Sequence, residues 1–179
     1  MSLTAQNIGF TITPLSDVLG AEIIGLDVGQ PFDADTLETI RDAFQTYHSL
    51  CFRDQHLTDD QMVSFSTQFG PLEEFPEKDH TKGNVEVYHV ANVNLAGAHL
   101  PAEDPTVIYQ RNNGRWHTDS SYRYTPSLAS ILYGIEVLPN HAEGGETGFS
   151  NMLAAYAALP ENMKAKLEPL HQVHSYADI

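Results

Sequence analysis

From residue 85 to residue 139 the chain carries short β-prone runs broken by turn residues, with no helical spacing, so it must fold around short strands. VEVYHVANV (85–93), RWHTDSSY (115–122) and LASILYGIEVLP (128–139) read as strands, the last two separated by a turn around Pro126. Asn94 to Pro105 holds Gly, two Pro and several polar residues and reads as a long surface loop. HAEGGET is a Gly-rich turn, GFSNM a short strand, 153–168 a helix interrupted at Pro160, and LHQVHSY a last strand. The first third of the chain differs. GFTITPL (9–15) and AEIIGLDV (21–28) are β-rich around an SDVLG turn, and SLCFRD (49–54) is a buried strand. Asp33 is placed to cap a helix whose apolar face is Leu37, Ile40, Phe44 and Tyr47. Thr58 and Gln61 form a capping box before Met62, Phe65 and Phe69, and Gly70-Pro71 stops that helix. Early helices followed by many short strands predict an α+β domain built around a β-sandwich or jelly roll, in one domain over 1–179.

Charge narrows the partners. Nine Lys+Arg against 24 Asp+Glu leave a net charge of −15, which argues against nucleic-acid and anionic-membrane binding, since both need a basic face. Cys51 is the single cysteine, so an internal disulfide and a thiolate metal cluster are excluded. MSLTAQNIGF has no basic or apolar leader character, and no run of about 18 apolar residues exists. These features predict a cytoplasmic protein.

Nine histidines in such a chain direct attention to metal chemistry. In a strand, residues i and i+2 share a face, so His117 and Asp119 in Trp116-His117-Thr118-Asp119 would project together. An imidazole and a carboxylate so placed are two members of the 2-His-1-carboxylate facial triad of non-haem Fe(II) oxygenases. With 12 Asp in 179 residues, nine histidines give about 0.6 His-x-Asp by chance, so the surrounding segments must carry the reading. Trp116, next to the pair but on the opposite strand face, is predicted to enter the core. The other histidines make poorer sets. His141-x-Glu143 lies beside Gly144-Gly145, where alternation fails, and His171-x-x-His174 suits neither a strand face nor a zinc pair without further ligands. His80, His89 and His99 fall in the loop-rich region, where solvated histidines are the default.

Three segments in order, SLCFRDQHLTDDQMVSFSTQFGPLE, WHTDSSY and GGETGFSNMLAAYAALP, resemble the taurine/2,4-dichlorophenoxyacetate dioxygenase family of Fe(II)- and 2-oxoglutarate-dependent enzymes. VANVNLAG and the double serine after Asp119 look closer to its aryloxyalkanoate branch. The resemblance implies a double-stranded β-helix (jelly roll) with flanking N-terminal helices. It implies Fe(II) as metal and 2-oxoglutarate and O2 as cosubstrates, with hydroxylation of a small, anionic aryloxyalkanoate- or sulfonate-like substrate. By position it makes His117 and Asp119 iron ligands, Thr147 a hydroxyl for the far carboxylate of 2-oxoglutarate, and Asn113 a substrate-pocket residue. It also implies a second histidine ligand and a carboxylate-binding arginine, neither of which matches a residue after the GGET turn. The fold is therefore expected to be incomplete at the C-terminus, with a homo-oligomer covering its apolar faces. The rival expectation is a non-catalytic remnant of the same family, acting as a binding or oligomerisation module.

Overall fold

The computed structural model describes residues 9–73, 86–94, 96–111, 114–139 and 143–175. They fall into two compact units, one of residues 1–72 and 133–171, the other of 73–132 and 172–179.

The first unit is organised by a three-stranded sheet in the order β1-β2-β3. Strand β1 (Thr11–Pro14) pairs antiparallel with β2 (Ala21–Ile24), with Thr11 opposite Ile24 and Pro14 opposite Ala21. Strand β3 (Leu50–Phe52) pairs parallel with β2, Ala21 opposite Leu50 and Ile23 opposite Phe52. A parallel neighbour needs a crossover, and helix α1 (Ala34–Tyr47) supplies it. The Asp33 carboxylate accepts the Thr36 N–H at 2.7 Å, and hydrogen bonding to Thr36 holds this carboxyl below its ordinary value. Ile40 and Ala43 are buried, while Leu37, Phe44 and Tyr47 are half-buried along the expected face. His48 ends the helix in a left-handed conformation, φ 62°, its N–H bonded to the Phe44 carbonyl.

Helix α2 (Asp59–Thr67) begins with the expected capping box: Gln61 N–H donates to Thr58 Oγ1 at 3.2 Å, and Thr58 N–H donates to Gln61 Oε1 at 2.9 Å. Its buried Phe65 meets Phe32, Phe52 and Phe69 edge-on, with centroids 5.8, 5.5 and 5.3 Å away. Phe10, Ile23 and Ile40 form the buried cluster beside these rings. Gln55 ties the loop back, donating to the Leu26 carbonyl at 2.8 Å and accepting the Val28 N–H at 2.9 Å. Farther along, α4 (Met152–Ala157) and α5 (Glu161–Leu167) are the predicted helix broken at Pro160. No helix among the described residues is long and apolar enough to cross a membrane.

The second unit contains helix α3 (Pro105–Arg111), which begins where the loop read from Asn94 ends and was not expected. Its signal is local: Asp104 Oδ1 accepts the Thr106 N–H at 2.9 Å, and Pro105 stands at the first helical position.

Five further strands were expected from composition, at 85–93, 115–122, 128–139, 148–152 and 170–176. The described residues of these segments join no ladder; an isolated bridge between Val93 and His99 is their one pairing. The physical reason is that β-propensity describes a side chain suited to a pleated, half-buried surface, while a strand also needs a neighbour's N–H and C=O groups. Beyond that bridge, no described residue forms a ladder with these runs, and apolar side chains among them stand open, Leu132 71% and Ile135 74% exposed. Trp116, expected in the core, is 76% exposed for the same reason: no layer among the described residues covers it.

Candidate metal and cosubstrate site

His117 and Asp119 lie outside any ladder, yet their side chains meet, His117 Nε2 standing 3.2 Å from Asp119 Oδ1. The i, i+2 spacing thus brings the two groups together without a sheet. His117 Nδ1 is 2.7 Å from the Arg115 carbonyl oxygen. A carbonyl only accepts, so Nδ1 carries a proton, and the neutral form of that tautomer presents its lone pair at Nε2. Nε2 and Oδ1 are then two electron-pair donors facing each other, an arrangement that a cation between them stabilises. Two ligands bound at about 2.1 Å and at right angles stand about 3 Å apart, so the observed spacing suits neighbouring positions around one metal ion. Asp119 Oδ2 is held separately, accepting the Ser130 hydroxyl at 2.6 Å. Both residues are about half exposed, at 51% and 55%. A hard carboxylate and an imidazole make a donor set fit for Fe(II) or Mn(II). Among the described residues no group of three or more His, Cys, Asp or Glu converges on a metal position.

The turn after Asp119 is tied by a cluster that sequence reading missed. Ser120 is nearly buried, 9% exposed, with a left-handed backbone at φ 57°. Glu73 Oε2 accepts the Ser120 hydroxyl at 2.5 Å and the Ser127 hydroxyl at 2.6 Å, while Oε1 faces Arg123 Nε at 2.5 Å. Glu73 lies 47 and 54 residues from the two serines, so no local pattern could have linked them. Burial pushes the Glu73 carboxyl up, but the two hydroxyls and the Arg123 guanidinium together hold it below its ordinary value of 4.5. A carboxyl lowered in the folded state contributes stability above its unfolded pKa and loses it as pH falls through the folded one. Acidification below pH 4.5 should therefore destabilise the wild type more than Glu73→Gln. Urea unfolding of the two chains as a function of pH checks this, and parallel acid limbs would remove the carboxylate from the stability of this unit.

Thr147 belongs to the other unit, is exposed, and follows the Gly144-Gly145 turn. Both glycines have positive φ, 84° and 81°, and a Cβ on Gly145 would come within 2.6 Å of Leu138 Cδ1. The positive φ at both positions is what demands glycine in the turn that presents Thr147, since the exposed Leu138 side chain can give way. Asn113, His80 and His141 lie outside the described residues. Glu143, His89 and His99 are exposed, and so are His171 and His174, the latter with Nδ1 2.8 Å from Ser121 Oγ.

Comparison with known proteins agrees with this arrangement of segments. Residues 11–178 match the model of the family described as taurine catabolism dioxygenase TauD, TfdA family. The chain is 36% identical over 169 residues to an (S)-phenoxypropionate/alpha-ketoglutarate-dioxygenase of Sphingobium herbicidovorans, covering 93% of this chain and 53% of that one. It is 30% identical over 165 residues to the alpha-ketoglutarate-dependent 2,4-dichlorophenoxyacetate dioxygenase of Cupriavidus pinatubonensis, covering 90% and 56%. A solved structure of AAD-2 in complex with Mn(II) and N-oxalylglycine aligns with a TM-score of 0.68 and 27% identity, over 90% of this chain and 54% of that one. The chain spans about half the length of the curated relatives it matches. A match that runs through the capped helix, the His-x-Asp segment and the Gly-Gly turn in one order leaves a single assignment: the chain belongs to the TauD/TfdA dioxygenase family.

Proposed function

We propose that this chain carries the His-x-Asp pair, two of the three protein ligands, of the metal site of an Fe(II)- and 2-oxoglutarate-dependent dioxygenase acting on a small organic anion of the aryloxyalkanoate kind. The observation that carries the reading is the approach of His117 Nε2 to Asp119 Oδ1, 3.2 Å apart, with Nδ1 turned to the Arg115 carbonyl 2.7 Å away. Dependence on alpha-ketoglutarate in two relatives and the Mn(II) and N-oxalylglycine bound to AAD-2 support the cosubstrate and the metal. The phenoxypropionate and 2,4-dichlorophenoxyacetate relatives support the substrate class. In this reading the strand-prone runs 115–122 and 128–139 belong to a jelly roll whose remaining strands supply their ladder partners.

Bound Fe(II) with 2-oxoglutarate would supply the activation of O2 and the oxidation of a substrate C–H bond. The chain's own residues do the positioning. Arg115, through its carbonyl, keeps the proton on His117 Nδ1 and so leaves Nε2 free to bind. Ser130 fixes one oxygen of Asp119, leaving the other directed at His117. Thr147 offers a hydroxyl to the far carboxylate of 2-oxoglutarate.

The test is anaerobic titration of 2-oxoglutarate into an Fe(II)-loaded form that supplies the full ligand set, followed by the visible absorption of the iron chelate. A hydrogen bond to a charged group is worth about 1.5–3 kcal/mol, so Thr147→Val should raise the dissociation constant about 10- to 150-fold. (S)-2-phenoxypropionate should then perturb the band of the wild-type chain. Absence of any Fe(II)-dependent band would overturn the functional reading, while a normal band with an unchanged constant in Thr147→Val would remove only Thr147.

A further inference from the structure

We infer that Glu73 is a positioning residue for the metal site, acting through the backbone turn that begins at Ser120. This inference rests on the reading of His117 and Asp119 as ligands, and it assigns a function to a residue 46 positions away from Asp119 in the chain. The reasoning starts from the turn. Ser120 directly follows Asp119 and has φ 57°, a region that residues other than Gly, Asn and Asp seldom enter. The turn closes with the Arg123 N–H donating to the Ser120 carbonyl at 3.0 Å. Left alone, a serine there would relax to negative φ and swing the Asp119 backbone away from His117.

Glu73 opposes that relaxation with one carboxylate that engages three side chains at and beyond the turn. Ser120 and Ser127 donate to Oε2 at 2.5 and 2.6 Å, with their hydroxyl oxygens 3.0 Å apart, and Arg123 pairs with Oε1 at 2.5 Å. Hydrogen bonds to an ionised acceptor are the strong ones, and Glu73 is largely shielded, its side chain 19% exposed. The two oxygens of Asp119 then have separate assignments: Oδ2 to Ser130, Oδ1 facing His117. Glutamine at 73 keeps the volume but turns one oxygen into an NH2 group. That group would face either Arg123, which cannot accept a hydrogen bond, or the two serine hydroxyls, which would have to reverse. In either case the clamp on Ser120 loosens.

The experiment measures Mn(II) binding by the loss of the free-ion electron paramagnetic resonance signal, with amide hydrogen exchange as a second readout. The chains compared are wild type, Glu73→Gln, Glu73→Gln with Ser120→Gly, and Asp119→Ala. Loss of a group that orients a ligand costs about 10- to 100-fold in metal affinity, and Glu73→Gln should fall in that range. Exchange at residues 120–123 should speed up while α1 and α2 keep their protection. Glycine takes a left-handed φ without help, so the Ser120→Gly change should return most of the lost affinity. A purely structural Glu73 would show no such rescue, and that result, or an unchanged Mn(II) affinity in Glu73→Gln, would overturn the inference while leaving the ligands in place. If Asp119→Ala binds Mn(II) as the wild type does, the ligand reading itself falls and takes the inference with it.

Discussion

In a form that supplies the full ligand set, Asp119→Ala is expected to abolish tight binding of Fe(II) or Mn(II). Loss of a group that merely orients a ligand costs about 10- to 100-fold, so loss of the carboxylate itself should exceed roughly 100-fold. The size follows from the donor set. His117 would be left as the one ligand of the pair, and a lone neutral imidazole offers a hard cation little beyond what water offers. The fold should survive the change, because Asp119 is 55% exposed and lies in no strand, and Ser130, its partner through Oδ2, can turn to water. Calorimetric titration with Mn(II) alongside a thermal melt separates the two effects. A variant that melts normally and still binds Mn(II) with wild-type affinity would remove Asp119 from the site.

Phe65→Ala should be the most damaging single truncation in the first unit. Phe65 is buried and holds the rings of Phe32, Phe52 and Phe69 edge-on around it, so its removal leaves a cavity at the junction of α2 with β3. Core Phe→Ala changes cost about 3–5 kcal/mol, against total stabilities of about 5–15 kcal/mol for a domain. Urea unfolding followed by far-ultraviolet circular dichroism should show the midpoint drop with the slope retained. Trp116 provides the contrast: it is larger but 76% exposed, and its truncation should stay within about 0.5 kcal/mol of the wild type. Equal losses at the two positions would mean that the aromatic cluster is not what holds this unit together.

These two positions also show what could be read from residues alone. Helices α1 and α2 were legible because their signals are local: Asp33 caps Thr36, and Thr58 and Gln61 cap each other within one turn. The meeting of His117 with Asp119 was legible for a similar reason, since two residues at i and i+2 need only their own backbone to come together. Trp116 was misjudged because burial depends on a covering layer that no neighbour in sequence announces. The unpaired runs at 128–139 failed likewise: Leu128 and Leu132 say that a surface will be covered, not by what. Glu73 stayed hidden because its partners are decided by tertiary approach over some fifty residues. Helix α3 could have been found, since Asp104-Pro105 is a helix start in three dimensions and in one.

The way the first unit's core is distributed along the chain has a consequence for the order of events during synthesis. Every residue of the Phe10, Ile23 and Ile40 cluster and of the aromatic group around Phe65 lies between positions 10 and 69. Contacts of short sequence separation form early, because little loop entropy is lost in closing them. At about 5–20 residues per second, the ribosome needs seconds to extend the chain from Phe69 to Asp119. Local elements form in microseconds to milliseconds. The sheet and its two capped helices therefore have time to consolidate while the metal-binding segment is still being made. His117 and Asp119 are made only after that core has had time to form, and Glu73, the first residue of the second unit, is already made when Ser120 follows.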